Sequence, residues 1–291
     1  MNQPYFNSQE PAASRGLQAA RLRDFIERHQ PLFVLTGAGC STDSGIPDYR
    51  DTNGDWKHPQ PVQYQQFVQH HSVRQRYWAR SMLGWPRVSD ARPNGAHYAL
   101  ALLERNGLLD NLVTQNVDGL HRRAGQNRFI ELHGDLAWVL CTECGHRYSR
   151  HTVQSALISR NPTFSGREAG AAPDGDMQMD EADLSSFEVP SCTHCDGILK
   201  PDVVYFGEAV PRERVHRSFQ MLNDSRGMLV VGSSLIVFSG FRFCRHARDH
   251  GIPIAAVNLG RTRADDLFDL KLEMNCAAAL SEMAALLHWE R

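Results

Sequence analysis

Nowhere does the chain string together the roughly 18 apolar residues that a membrane-crossing helix requires. The opening stretch, MNQPYFNSQEPAASRG, lacks both the charged-then-apolar order of a secretion signal and the Arg-rich order of a transit peptide. Residues 1–15 are expected to be a flexible tail, and the protein to be cytoplasmic. Charge of one sign is also missing. With 31 Lys and Arg against 33 Asp and Glu the net charge is −2, so no global basic field argues for nucleic acid as a partner. What remains, 42% apolar and 22% charged over 291 residues, suits one large core, or one core with a small appended domain.

Disulfides are a further expected absence. Of seven cysteines, four form two C-x-x-C pairs, Cys141 with Cys144 and Cys192 with Cys195. Without a secretion signal, such knuckles suggest zinc. Four thiolates close a tetrahedral site and leave no open position for catalysis, so the zinc is expected to be structural. His146 and His194 are superfluous beside four sulfurs. Cys40, Cys244 and Cys276 read as small buried apolar residues.

The patterning predicts an α/β protein. LQAARLRDFIERH (17–29) sets Leu22, Phe25 and Ile26 on one helical stripe. PLFVLTG is an apolar run closed by glycine, as a buried parallel strand reads. NLVTQNVD (111–118), RFIELHG (128–134), GMLVVGSSL (227–235) and IPIAAVNLG (252–260) repeat strand-like runs with polar or glycine tips. Helices are expected at 95–107 and 239–250. Alternating strands and helices imply a doubly wound, Rossmann-like parallel sheet, built from residues 16–139 and 200–291. A helical flap is expected over about 51–94, and a smaller inserted zinc-ribbon module over 140–199. The acidic stretch 165–183 reads as a mobile loop.

In an open α/β sheet, ligands bind at the carboxyl ends of the strands. Five tips, TGAG, TQNVD, LHG, VGSS and VNLG, can converge on one crevice. Gly37 and Gly39 would let backbone N–H groups approach a pyrophosphate, assisted by the positive end of a following helix; Ser41 and Thr42 could donate hydroxyls. Alone, the same GxG would serve as a tight turn. The acid usually found about 20 residues after such a turn has no clear counterpart, since Asp55 lies beyond the flap, and Asn258 is the better ribose partner. That weighs against simple hydride transfer. His133, at a strand end beside TQNVD, suits general-base work near neutral pH, although a lone histidine can also be structural.

GAGCSTDSGIPDYRD, TQNVDGLH, ELHGDL, the two C-x-x-C pairs, KPDVVYFGE, VGSSL and VNLG, in that order over residues 36–260, resemble the sirtuins, NAD-dependent protein lysine deacylases. The resemblance implies that Gly37, Ala38 and Gly39 meet the pyrophosphate. Gly45, Ile46, Pro47, Asp48, Tyr49 and Arg50 would form the cofactor flap, while Gln115, Asn116, Val117 and Asp118 line the nicotinamide–ribose pocket. Gly232, Ser233 and Ser234 would approach the phosphates and the adenine-side ribose, Asn258, Leu259 and Gly260 would hold that ribose, and Cys276 would lie beside the adenine. His133 would be the catalytic base. Val203, Val204, Phe206 and Gly207 would pair with an extended acyl-lysine peptide, a mode that accepts many sequences. NAD would be consumed, giving nicotinamide and O-acyl-ADP-ribose.

Two departures bear on specificity. Tyr49 stands where many sirtuins have phenylalanine, and GSSLIVFSGFRF lacks the proline common after the valine; with NLGRTRADD it looks most like the class II branch, whose mitochondrial members accept unusual acyl groups. In RQRYWAR, Tyr77 and Arg80 are three residues apart and would share a helix face. Together they could grip an acidic acyl group, as a Tyr-x-x-Arg pair does in desuccinylating sirtuins. The bland alternative is an arginine facing solvent. The same NAD site could instead serve a protein mono-ADP-ribosyltransferase; a zinc dehydrogenase or a non-enzymatic zinc-ribbon module fits less well.

Overall fold

Strand Leu32–Thr36 (β1) is buried along its whole length, as an apolar run must be when covered on both faces. The computed structural model describes residues 12–49, 51, 53, 55, 57, 61–164, 170, 171, 177, 178 and 184–287. The other strands are Leu109–Thr114 (β2), Phe129–Glu131 (β3), Gly134–Cys141 (β4), Arg147–Ser149 (β5), Gly170–Ala171 (β6), Met177–Gln178 (β7), Leu199–Val203 (β8), Gly227–Val231 (β9), Ile254–Val257 (β10) and Leu270–Leu272 (β11). Helices run over Ala12–His29 (α1), Tyr64–Gln69 (α2), His71–Asp90 (α3), Gly95–Arg105 (α4), Leu120–Arg123 (α5), Arg150–Arg160 (α6), Arg212–Asn223 (α7), Phe238–Asp249 (α8) and Cys276–Leu286 (α9).

Six strands make one parallel sheet in the order β11–β10–β9–β1–β2–β3. Side chains alternate across it with the period of two that a strand imposes. Leu32 and Val34 pack with Leu22 and Ile26 of α1, Leu100 of α4 and Leu280 of α9. Phe33 and Leu35 pack on the other face with Leu222 of α7 and Phe243 and Ala247 of α8. The chain departs from β1 in opposite directions to β2 and to β9, so the switch point lies between β1 and β9, where ligands of open α/β sheets bind. This is the expected doubly wound architecture.

A three-stranded antiparallel sheet, β5–β4–β8, forms the smaller lobe. It starts at Gly134, ahead of residue 140 where the inserted module was placed from the sequence. The flap is not irregular throughout: α3 is one continuous helix with Pro86 inside it. Trp78, Met82 and Trp85 of α3 share a core with Leu136 and Val139 of β4, Val153 and Leu157 of α6, and Cys141 and Cys192 of the knuckles. Arg150 is buried in that core, its guanidinium 5.5 and 5.0 Å from the Trp78 and Trp85 ring centres. It donates to Gln154 Oε1 (2.7 Å) and to Ser81 O (3.0 Å), and burial lowers it to about 10. Flap and zinc module are thus one packed unit. Of the acidic loop 165–183, only the antiparallel pair β6–β7 lies within the described residues.

His133 falls between the two sheets, after β3 of the large one and before β4 of the small one. Gly134 makes the turn at φ +93, and a Cβ there would stand 1.9 Å from Asp202 O. Gly134→Ala is expected to cost about 1–3 kcal/mol from the backbone alone, with the clash added. Gly125→Ala, also at positive φ but with nothing within 4 Å, should pay only the backbone part. Urea unfolding of the two variants compares them.

Candidate active site

Glycine is required where the tips of β1 and β9 meet. Gly37 N–H donates to Val231 O (3.0 Å) and Gly39 N–H to Gly232 O (2.8 Å). A Cβ on Gly37 would lie 2.8 Å from Gly232 O, and one on Gly232, at φ +63, would lie 2.2 Å from Cys40 N. The glycine turn does not feed the helix expected after it. Two three-residue helical turns follow, Ala38–Cys40 and Thr42–Ser44, too short to present a helix dipole. Any anion held here is therefore met by local backbone N–H groups and hydroxyls.

A cavity of about 670 Å³ opens in front of these tips, between the two lobes. Gly37, Ala38, Gly39 and Ser41 line it from β1, Ile46, Pro47, Asp48 and Tyr49 from the flap, and Gln115 to Asp118 from β2. His133, Gly232, Ser233, Ser234, Asn258 and Leu259 line it from the remaining tips, and Tyr77, Val203, Val204, Phe206 and Gly207 from the smaller lobe. A hydrogen-bonded lattice fixes its floor. Asn116 Nδ2 donates to Gly37 O and to Ser41 Oγ, both at 3.0 Å, and Ser41 Oγ donates to Asp118 Oδ2 at 2.7 Å. Ser233 Oγ donates to Gln115 Oε1 at 2.7 Å. Burial raises the Asp118 carboxyl above its ordinary range, while donation from Leu120 N–H and Ser41 opposes the rise.

Five expected residues do not line the cavity. Thr42 turns its hydroxyl onto Gly39 O (3.1 Å), and Gly45 serves the turn itself, at φ +82. Gly260 lies past the Asn258 tip, where its carbonyl is 3.4 Å from Asn258 Nδ2. Cys276 begins α9 with its thiol toward Val257 O (3.6 Å), inside the large core, and burial pushes it up to about 12. Arg80 is the fifth. Tyr77 faces the cavity in a cluster with Phe67 and Tyr205, each ring centre 5.5 Å away, but Arg80, three residues on, is not part of the lining. Arg50 lies outside the described residues. The expected peptide-pairing segment is partly engaged within the chain, since Val204 N–H donates to His133 O and Phe206 O accepts from Tyr64 N–H.

His133 is held at both ring nitrogens. Nδ1 lies 3.0 Å from Gln115 O and Nε2 lies 2.8 Å from Ser239 Oγ. A carbonyl can only accept, so Nδ1 carries the proton and Nε2 is left bare. Burial, reinforced by Arg242 and Arg214, lowers this imidazole to about 4 against the opposing effect of its hydrogen bond to Gln115 O, so it is neutral at physiological pH. Ser239 and Arg242 were not singled out from the sequence, although their i, i+3 spacing at the start of α8 places both on the cavity side.

The four knuckle cysteines bring all their sulfurs within 4.8 Å of one another, with Cys141–Cys195 at 3.5 Å and Cys144–Cys192 at 3.7 Å. This donor set fits one zinc ion with no open position. Gly197 keeps the space clear, because a Cβ there would lie 2.9 Å from Cys141 Sγ. The His146 and His194 rings stack on each other at 3.8 Å, outside the sulfur cluster.

A family model described as "SIR2: Sir2 family" matches residues 37–239, which hold the glycine turn, His133 and all four knuckle cysteines. The chain belongs to the Sir2 family. An NAD-dependent protein deacetylase of Xanthomonas campestris pv. campestris (strain 8004) is 58% identical to this Sir2 protein over 260 residues, 89% of each chain. NAD-dependent protein deacetylase 2 of Bradyrhizobium diazoefficiens is 55% identical over 274 residues, 94% of this chain and 98% of its own. Among solved structures, "Sir2-p53 peptide-NAD+" superposes with a TM-score of 0.72 at 29% identity, covering 91% of this chain and 95% of that one. "Sir2 bound to acetylated peptide" gives 0.71 at 29%, covering 90% and 94%. Among the described residues of this Sir2 chain, no helix is long and apolar enough to cross a membrane.

Two expectations follow. Cys141→Ser should lower zinc content, read by atomic emission, from one ion per chain toward zero. Because Cys141 and Cys192 belong to the smaller lobe's core, it should also lower Tm, whereas Cys244→Ala should leave the zinc in place.

The second concerns acid. His97 and His133 are lowered to about 4 and buried His121 well below its ordinary value, in each case chiefly by burial. The unfolded chain binds protons near pH 6.5 that the folded chain refuses. Their stabilisation is full above that pH and lost as pH falls toward 4, at about 1.4 kcal/mol per pH unit per proton. Half-buried Glu131, raised to about 7, and Asp118, also raised, act in the opposite sense. Three imidazoles outweigh two carboxyls. Urea midpoints should fall from pH 6.5 to 4.5, with a shallower slope in His97→Gln.

Proposed function

We propose that this protein removes acyl groups from lysine side chains of proteins in a reaction that consumes NAD. The observation that carries the reading is His133: a neutral imidazole with its protonated nitrogen tied to Gln115 O and its bare Nε2 turned into the crevice at the sheet's switch point. When bound, NAD supplies an electrophilic ribose carbon as nicotinamide leaves, and this carbon takes up the acyl oxygen.

The chain's own residues position, exclude and accept. Gly37, Ala38 and Gly39, with Gly232 to Ser234, form the floor on which the phosphates and the adenine-side ribose rest, and Asn258 stands at the last tip. Asp48, ion-paired to Lys57 in the flap, and Tyr49 cover the nicotinamide end. Asn116, Ser41 and Asp118 hold that end's wall in one arrangement through their shared hydrogen bonds. His133 Nε2 takes the proton of a ribose hydroxyl, whose oxygen would bond to the acyl carbon; a water molecule then supplies the ester's carbonyl oxygen as the C–N bond breaks and free lysine leaves. Products are nicotinamide and O-acyl-ADP-ribose.

Val203 to Gly207 close the smaller-lobe side, and an extended peptide lying along them would bring its acyl-lysine past Tyr77 and Tyr205. That wall is aromatic and aliphatic, with Val62, Val117 and Leu136 beside it. It favours an uncharged acyl group, and Arg80 is not among the residues that line it. The ADP-ribosyltransferase alternative is not favoured: the relatives are named deacetylases, and the solved neighbours carry peptide and NAD.

Incubation with NAD and a panel of acyl-lysine peptides, read by mass spectrometry, tests this. O-acyl-ADP-ribose should form with acetyl-lysine and should drop by about 10²-fold or more in His133→Ala, the scale of general-base catalysis. Arg80→Ala should leave the ratio of acetyl to succinyl turnover unchanged. Nicotinamide release without O-acyl-ADP-ribose from any peptide would sink the deacylase reading.

A further inference from the structure

The reading of His133 as the base leaves open what keeps its ring in the useful orientation. Gln115 O fixes one nitrogen. In a cavity of this size the other would otherwise face solvent, and an imidazole anchored at one end can turn or exchange its proton between nitrogens. Here the second anchor is a side chain. Ser239, second residue of α8, places Oγ 2.8 Å from Nε2. A hydroxyl both donates and accepts; toward a nitrogen whose ring proton sits on Nδ1, it donates.

That contact depends on an unusually close approach. Gly240 follows Ser239, and a Cβ on it would meet Gln115 Nε2 at 2.6 Å. The first turn of α8 therefore packs directly on the residue that anchors Nδ1. Ser233 Oγ holds the same Gln115 through its Oε1 at 2.7 Å. One continuous set of hydrogen bonds, Ser233 to Gln115 to His133 to Ser239, links the tips of β9 and β2 with the start of α8. Ser239 O in turn accepts from Arg242 Nε at 3.1 Å, which steadies the turn.

Resting on the assignment of His133 as base, we propose that Ser239 is its positioning residue. The serine hydroxyl holds the imidazole in the Nδ1–H tautomer with Nε2 aimed into the cavity, and rotates away when a ribose hydroxyl takes its place. No covalent bond changes at Ser239. It gives up one hydrogen bond, and Nε2 gains another from the hydroxyl it deprotonates.

The test is made first on the protein without NAD. Proton–nitrogen NMR of ¹⁵N-histidine-labelled protein identifies the His133 ring by its loss in His133→Ala, and reports which nitrogen carries hydrogen. Wild type should show a single Nδ1–H tautomer, Ser239→Ala a mixture of tautomers or an exchange-broadened ring, and Ser239→Thr, which retains the hydroxyl, the wild-type pattern. In turnover, Ser239→Ala should lower kcat about three- to tenfold, the scale of one neutral hydrogen bond, with KM for NAD within about twofold. Ser239→Thr should restore the rate. An unchanged Nδ1–H ring in Ser239→Ala, or an Nε2–H ring in wild type, would overturn the role given to Ser239 even where His133→Ala abolishes activity. Full activity in His133→Ala would overturn the base assignment itself.

Discussion

The approach of two glycine turns to hydrogen-bonding distance decides where everything else in the site stands. Gly39 N–H reaches Gly232 O at 2.8 Å, and neither turn has room for a side chain between them. Adjacent parallel strands must lie side by side, but their exits need not; here the exits of β1 and β9 are clamped across the switch point. With that clamp set, Ser41 falls within reach of Asn116 and Asp118 from β2, and Ser233 within reach of Gln115. Three segments distant in sequence are thereby tied into one surface by main-chain contacts and short polar side chains. A floor built this way barely reorganises when a phosphate arrives, which is the condition under which fixed dipoles help most.

His133 stands where the large sheet hands the chain to the small one. Such a junction is a poor place for a free ring and a good place for an anchored one. It lets the imidazole look into the gap between two separately packed cores without belonging to either. That gap is the cavity lined by the tips of the large sheet on one side and by Val203 to Gly207 on the other. Burial keeps the imidazole neutral, and its two contacts, the Gln115 carbonyl at Nδ1 and the Ser239 hydroxyl at Nε2, set which nitrogen is basic.

Much of this was legible in the sequence, for reasons that differ by residue. The strand-then-glycine tips announce themselves because a covered strand must be continuously apolar and a crowded exit must be glycine. The knuckles are legible because metal geometry fixes the spacing of their sulfurs. What was missed depended on direction and not on residue type. Cys276 sits on the last helix near the tips, yet its thiol points into the core toward Val257 O. Arg80 shares a helix with Tyr77, but three residues correspond to about 300° of turn. Only Tyr77 of the two is among the residues that line the cavity. Ser239 escaped notice because a serine in the first turn of a helix is ordinary until the packing of Gly240 against Gln115 brings it to the histidine. The small sheet's early start at Gly134 was hidden by the run RFIELHGDL, which reads as one strand and is broken only by a left-handed glycine.

The zinc cluster does no chemistry, yet the cavity depends on the unit it belongs to. Cys141 closes β4, and β4 pairs with β8, which ends at Val203 on the cavity wall. The same core includes Trp78 of α3, whose neighbour Tyr77 faces the cavity. A module of this size buries little apolar surface by itself, and a metal is the usual remedy for a small core. Here the remedy extends further, because α3 contributes its tryptophans and Arg150 its buried guanidinium to one shared interior. Loosening the knuckles would therefore be felt first on the smaller-lobe wall of the cavity and only later at its floor, whose glycine clamp belongs to the other core.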